Sequence, residues 1–256
     1  MRRLALIAAA AFALGAAGAC GTGPTERPVA REPIALFTTL PLLWSEAPDM
    51  AAMLKADAPP HWARAVMAER GALTPLDTLA GAQGLAGAPG LTRATRLVMA
   101  QPRPLSPEEN LALDRWVRAG GRLLLLADPA LTEDSAFAIG DQRRPHDIVM
   151  LSPILARWGL RLAFDDAQAL GEHDASAFGA QIPVNLPGAF VAAPAIGGGE
   201  AARCRIEASG LTARCRVGRG TVTALADAAV LERGEDSEPR TSRSEALRAL
   251  LAAGFD

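Results

Sequence analysis

Short apolar runs, bounded by proline, glycine or charged residues, recur along the chain after residue 33. Most positions within each run are apolar, rather than every second position, so we expect buried strands that are covered on both faces. The predicted strands span residues 34–40, 72–77, 96–101, 122–127, 160–164, 181–184, 189–192 and 221–226.

Helical patterns separate several of these strands. The clearest begins at Ser106, where Pro107 and Glu109 complete the signature of a capped first turn. The other predicted helices span residues 49–56, 60–70, 151–158 and 244–253. This alternation predicts an α/β fold: a three-layer, doubly wound, mostly parallel sheet with an added β-hairpin, in a single domain over residues 33–256.

The hairpin is predicted from strict alternation over residues 203–216, with a two-residue turn at Ser209 and Gly210. That turn places Cys204 directly opposite Cys215. The separation of such a pair suits a disulfide, which an oxidising compartment would favour. Two reduced, buried thiols are the alternative.

The other face of this hairpin is strongly basic. With the same register, arginine lies opposite arginine, which costs stability unless an anion or an acidic partner compensates. A solvated face and a surface for an acidic partner or an anionic polymer are both open. The residues are Arg203, Arg205, Arg214 and Arg216, with Arg219 nearby.

Residues 1–19 have the layout of a signal peptide: two arginines, an apolar stretch too short to span a bilayer, and small residues before Cys20. The end of this segment resembles a bacterial lipobox, whose cysteine carries a lipid anchor, and it also satisfies an ordinary cleavage site. The sequence predicts export as a lipoprotein on the periplasmic side of a membrane, with a free periplasmic protein or a retained anchor as alternatives. Residues 20–32 read as a flexible tether.

Composition excludes some classes of function. The chain carries 26 lysine and arginine against 28 aspartate and glutamate residues, so nucleic acid is not an expected partner. No second apolar run is long enough to span a membrane, and a membrane link must come from Cys20 or from a protein partner. Neither His61 nor His173 has metal-ligand spacing, and no cofactor or metal is expected.

Polar residues follow several predicted strands, where open parallel sheets bind ligands. Converging on one rim, they could hold a small polar ligand or a divalent cation. In the alternative, the two aspartates cap the turns that follow their strands. The residues are Thr38, Thr39, Gln101, Asp128 and Asp227.

The irregular connection after Asp128 adds Arg143 and Arg144 to the candidate ligand site. Paired arginines can clamp a carboxylate or a phosphate. They can equally pair with nearby aspartates, while Asp147 caps the next helix.

Two segments, 105–129 and 218–227, carry a family likeness through their order of helix, Gly-Gly, strand and Asp. They resemble the glutamine-amidotransferase-like domain of ABC-transporter auxiliary proteins, including the gliding-motility kind, and an exported domain of unknown function. Amidotransferase chemistry needs a cysteine on a sharp turn with a histidine base. Cys204 and Cys215 lie in the hairpin instead, so no catalytic residue of that kind is predicted.

The resemblance implies an exported, lipid-anchored, non-catalytic binding or accessory protein of the cell envelope, associated with a transporter or another envelope protein. The alternative is an envelope hydrolase that uses Asp128 and Asp227, with Arg143 or His146 assisting.

Overall fold

The computed structural model describes residues 31–256 except 48, 50, 52–53, 55–58, 82–89, 198–199 and 234–240. The predicted signal peptide, the lipidation site Cys20, most of the tether and most of the predicted helix 49–56 lie outside the described residues. Within the described ranges, no helix has the length and apolar character needed to cross a membrane.

Eleven strands and four helices lie within these ranges. The strands are β1 (Ile34–Thr38), β2 (Leu73–Pro75), β3 (Arg96–Ala100), β4 (Arg122–Leu126), β5 (Leu160–Ala163), β6 (His173–Ala177), β7 (Ala180–Val184), β8 (Ala189–Ala192), β9 (Arg203–Glu207), β10 (Thr212–Val217) and β11 (Gly220–Leu225). The helices are α1 (Trp62–Ala68), α2 (Pro107–Arg118), α3 (Ser152–Arg157) and α4 (Thr241–Phe255).

The central sheet has seven strands in the order β2-β1-β3-β4-β11-β10-β9. Strands β2, β1, β3, β4 and β11 are mutually parallel, and β10 and β9 continue the sheet antiparallel. The prediction of an α/β fold with a mostly parallel sheet is confirmed. Two small antiparallel pairs, β5–β8 and β6–β7, lie outside this sheet.

Both faces of the sheet are buried because each parallel strand presents apolar residues to both sides. On one face, Leu124 packs in a cluster with Leu250 of α4 and Val66 of α1. On the other face, Leu125 packs in a cluster with Val117 of α2. The near-continuous apolar runs therefore reflect two cores, one under each layer of helices.

Helix α2 begins with the predicted capping box. The Ser106 hydroxyl accepts a hydrogen bond from the Glu109 amide at 3.2 Å, and the Glu109 carboxylate accepts one from the Ser106 amide at 3.0 Å. Arg103 pairs with the same carboxylate at 2.8 Å. Although burial opposes it, these partners hold the pKa of Glu109 at about 2.

The β9–β10 hairpin keeps the predicted register, with Cys204 opposite Cys215, and a disulfide joins the two. The predicted turn at Ser209 and Gly210 is confirmed, because the Leu211 N–H donates to the Ala208 carbonyl across these two residues at 2.9 Å. The strands end at Glu207 and resume at Thr212, and the loop between them holds Ala208 and Ser209 at φ of 49° and 54°. Ala208, Ser209 and Gly210 all have positive φ, and together they turn the chain while the predicted register is kept.

Candidate active site at the carboxyl edge of the sheet

Gln101 lies directly after β3 and is fully buried. Its amide nitrogen donates to the carbonyls of Asp128 and His146, at 3.1 and 2.7 Å, and its amide oxygen accepts from the Asp128 N–H at 3.0 Å. The Thr39 hydroxyl donates to the Gln101 carbonyl. Gln101 therefore ties the ends of neighbouring strands together from beneath the surface.

Asp128 and Asp227 follow β4 and β11, which are adjacent parallel strands, and both are fully buried. Asp128 accepts hydrogen bonds from the backbone N–H groups of Ala130 and Ala228, at 2.8 and 3.0 Å. Asp227 accepts from those of Ala229 and Asn185, at 2.6 and 3.0 Å. The structure thus has the alternative arrangement, in which both aspartates cap the turns that follow their strands.

Burial dominates the electrostatics of this pair. It raises the pKa of Asp128 to about 6, and it raises the pKa of Asp227 well above its ordinary value, with the neighbouring charge of Asp128 adding to the effect. Two carboxylates in a shared low-dielectric site cannot both ionise cheaply. Among the described residues, no group of three or more acidic, histidine or cysteine side chains could hold a metal ion.

Glu133 lies five residues after Asp128, and Glu232 lies five residues after Asp227. Hydrogen bonds join the two segments that carry these glutamates. The Thr132 hydroxyl donates to the Glu232 carboxylate, and the Arg233 N–H donates to the Glu133 carboxylate at 3.1 Å. Each segment thus supplies a donor to the carboxylate of the other. This exchange fixes two acidic side chains next to one another at the carboxyl edge of the sheet.

The pKa values of both glutamates are raised. Burial is the main cause and takes the pKa of Glu133 to about 7, with the charge of Glu232 contributing. Burial likewise raises the pKa of Glu232, opposed by its hydrogen bond from Thr132 and the positive charge of Arg243. A carboxyl group that titrates near neutral pH is a signature of functional sites.

These two glutamates line a gap between the segment after β1 and the turn after β11, and this gap is too narrow to admit a water molecule in the structure. Its walls are mainly apolar, which accounts for the raised pKa values. The lining residues are Leu40, Pro41, Leu42, His61, Leu131, Glu133, Ala228, Leu231 and Glu232.

Sequence reasoning missed Glu133 and Glu232, although a short internal repeat marks them. Residues 127–133 read Ala-Asp-Pro-Ala-Leu-Thr-Glu, and residues 226–232 read Ala-Asp-Ala-Ala-Val-Leu-Glu. Both copies follow a buried strand. In each copy the aspartate carboxylate accepts a hydrogen bond from the backbone N–H two residues later, which forms the turn. The repeat therefore delivers one glutamate from each of two adjacent strands to the same place.

A second, open cleft of about 450 Å³ lies beyond the end of β1. It brings together four of the predicted ligand residues, Thr38, Thr39, Arg143 and Arg144, and leaves Gln101, Asp128 and Asp227 out of its lining. Arg143 pairs with Asp141 at 2.7 Å, and Arg144 with Asp147 at 3.1 Å. The other lining residues are Trp44, Ser45, Ala47, Phe137 and Gln142.

No family model matches the chain, and no curated protein sequence matches it significantly. Solved structures that resemble it include the exo-β-1,4-mannosidase Op5Man5 from Opitutaceae bacterium strain TAV5 (14% identity, TM-score 0.49). Others are Gan42B, a GH42 β-galactosidase from G. stearothermophilus (11%, 0.44), and a β-galactosidase from Bacillus circulans sp. alkalophilus (9%, 0.43). They match 88%, 89% and 87% of this chain, which spans only 36%, 30% and 30% of theirs.

These neighbours correct the expected resemblance. They are glycoside hydrolases, not amidotransferase-like auxiliary proteins of ABC transporters, and that family likeness is wrong. The expectation of a non-catalytic accessory protein falls with it. The Gly-Gly and Asp turns that suggested it recur in many α/β proteins, because glycine commonly ends helices and aspartate is common in turns. Likeness at this level assigns no activity to the chain.

Proposed function

We propose that this protein is a hydrolase that uses Glu133 and Glu232 as its acid and base at the carboxyl ends of β4 and β11. The observation that carries the proposal is the exchange of hydrogen bonds that sets Glu133 beside Glu232, where burial raises the pKa of Glu133 to about 7. A general acid must hold its proton at the working pH, and an ordinary glutamate does not. Burial in this apolar gap supplies that property.

The reaction we assign to these two carboxyl groups is cleavage of a glycosidic bond, and it requires the closed gap between them to open for the sugar and the attacking water. Protonated Glu133 donates its proton to the leaving oxygen as the bond to the sugar carbon breaks. Ionised Glu232 removes a proton from the water that attacks that carbon. The hydrogen bond from Thr132 favours this ionised form, although burial raises the pKa of Glu232 overall. Asp128 and Asp227 are fully buried behind the glutamates and shape the turns that carry them.

Two further properties belong to the proposal. Helices on both faces of the parallel sheet support a doubly wound, flavodoxin-like arrangement. The signal-like segment before Cys20 supports export, with a lipid anchor on that residue tying the protein to the periplasmic side of a membrane.

The test is hydrolysis of a panel of p-nitrophenyl glycosides by the wild type and by Glu133→Gln and Glu232→Gln. Glu207→Gln, on the exposed hairpin edge, is the matched control. We expect turnover of at least one glycoside, a loss of about 100-fold or more in each active-site variant, and no change in the control. We also expect activity to fall above about pH 7, where Glu133 loses its proton.

No turnover across the panel would overturn the proposal. Turnover that survives both substitutions would overturn it as well, because the reaction would then use other groups.

A further inference from the structure

The open cleft lies where the topology favours a ligand. The chain leaves β1 to form β2 on one side of it and returns to form β3 on the other. Connections that diverge in this way open a crevice at the carboxyl ends of the two central strands. Thr38 and Thr39, which line the cleft, lie at that end of β1.

An aromatic side chain is displayed on the wall of this cleft. The side chain of Trp44 is 44% exposed. Its ring centroid lies 6.1 Å from that of Phe137, which is buried beneath it. Phe137 therefore backs the Trp44 ring and leaves part of its surface available for stacking.

The charges in the cleft are already compensated. Asp141 accepts from the guanidinium of Arg143 at 2.7 and 3.1 Å, and Arg143 also lies 4.2 Å from the centre of the Phe137 ring. Asp147 accepts from Arg144 at 3.1 and 3.2 Å. An anionic ligand would have to compete with both aspartates. The lining favours a neutral ligand with hydroxyl groups, which the Gln142 amide and the Thr38 hydroxyl can meet.

We propose that this cleft binds a neutral pyranose ring, stacked on Trp44 and hydrogen-bonded to Thr38 and Gln142. A pyranose combines an apolar ring face with a rim of hydroxyls, which matches the lining. The volume of about 450 Å³ lies within the range of small-molecule sites. The inference rests on the proposed function in taking this sugar to be part of the substrate.

The experiment is a titration of the Glu133→Gln variant with methyl pyranosides, followed by tryptophan fluorescence and calorimetry. The same titrations are made with Trp44→Ala and Trp44→Phe added. Phe164→Ala, which removes a similarly exposed aromatic side chain from the end of β5, is the control. We expect saturable binding that weakens about tenfold with Trp44→Ala, less with Trp44→Phe, and not at all with Phe164→Ala.

Absence of saturable binding, or equal binding by Trp44→Ala, would overturn the inference. These outcomes separate it from the proposed function. Binding that depends on Trp44, without hydrolysis of any glycoside, would support the sugar site and contradict the proposed hydrolase function. Hydrolysis that Glu133→Gln abolishes and Trp44→Ala does not affect would support the hydrolase function and contradict the sugar site.

Discussion

The carboxylate of Asp128 accepts a hydrogen bond from the backbone N–H of Ala228 at 3.0 Å. This bond joins the turn after β4 to the turn after β11, and so it fixes the spacing of the two segments that carry Glu133 and Glu232. The two copies of the short repeat are thereby held in one frame, although about a hundred residues separate them.

Replacing Asp128 with alanine removes the acceptor from two backbone N–H groups, those of Ala130 and Ala228. We expect the free energy of unfolding to fall by about 2 kcal/mol or more, because a buried donor without a partner costs roughly 1–3 kcal/mol. Urea denaturation measures the change, and Asp166→Ala, at an exposed position, is the control. Equal stability of the two variants would contradict this role.

Glu133 predicts a pH dependence of stability. Its folded pKa of about 7 lies above the ordinary value of 4.5, so the folded state holds a proton that the unfolded state has lost between these pH values. The free energy of unfolding therefore falls as pH rises from 4.5 to 7. Because Glu133 is only partly buried, we expect a contribution of about 2 kcal/mol rather than the full value of the shift.

Glu133→Gln removes this contribution. We expect the variant to be more stable than the wild type at pH 8 and equally stable near pH 4, as measured by thermal unfolding across this range. If the difference in melting temperature between the two proteins is the same at every pH, Glu133 keeps an ordinary pKa and the prediction is wrong.

The disulfide closes a short loop between residues with a sequence separation of 11. Loop-closure entropy predicts that Cys204→Ser with Cys215→Ser lowers the free energy of unfolding by roughly 2–3 kcal/mol. Denaturation of the double variant, compared with the wild type without reductant, measures this loss. Intact mass gives an independent readout: the wild type should gain two hydrogens on reduction, and an unchanged mass would mean free thiols.

Arg205 and Arg214 lie directly opposite each other on β9 and β10. Among the described residues, Glu207 is the acidic side chain that pairs with Arg205, at 3.8 Å. Arg214 lies over the Phe178 ring. We expect Arg205→Glu to raise the free energy of unfolding by about 0.5–1 kcal/mol, because opposite charges then face each other across the strands.

This gain should shrink in high salt. Arg161→Glu, on the exposed face of β5, is the control for a charge reversal without an opposing arginine. A loss of stability with Arg205→Glu would contradict the repulsion. The hypothesis that an acidic partner covers this arginine face stays a prediction.

Local patterns in the sequence were sufficient for the core of the fold. The run 122–127 predicted β4 because a strand buried on both faces must be apolar at nearly every position. The Ser106 box predicted the start of α2 because the cap is a local interaction. By contrast, β6 (His173–Ala177) was missed, since its mixed polar and small residues give no periodic signal.

The candidate site was predicted only in part, because its chemistry depends on burial. The sequence indicated which residues follow the strands, and two of these, Thr38 and Thr39, share a cleft with the predicted Arg143 and Arg144. It left open whether Asp128 binds a ligand or caps its turn, and it gave no sign that Glu133 stays partly accessible. That difference comes from the path of the loops, which local propensity does not determine.

Strand β9 forms one end of the seven-stranded sheet, and no strand of the described part of the chain pairs with its outer edge. An unpaired edge is a template on which another chain can add a strand, and proteins guard such edges with charge and with constraint. The Cys204–Cys215 bond and the arginines beside it supply both here. Reducing agents added during purification would therefore break this disulfide and weaken the edge of the sheet at β9. We expect part of the protein to aggregate as a result.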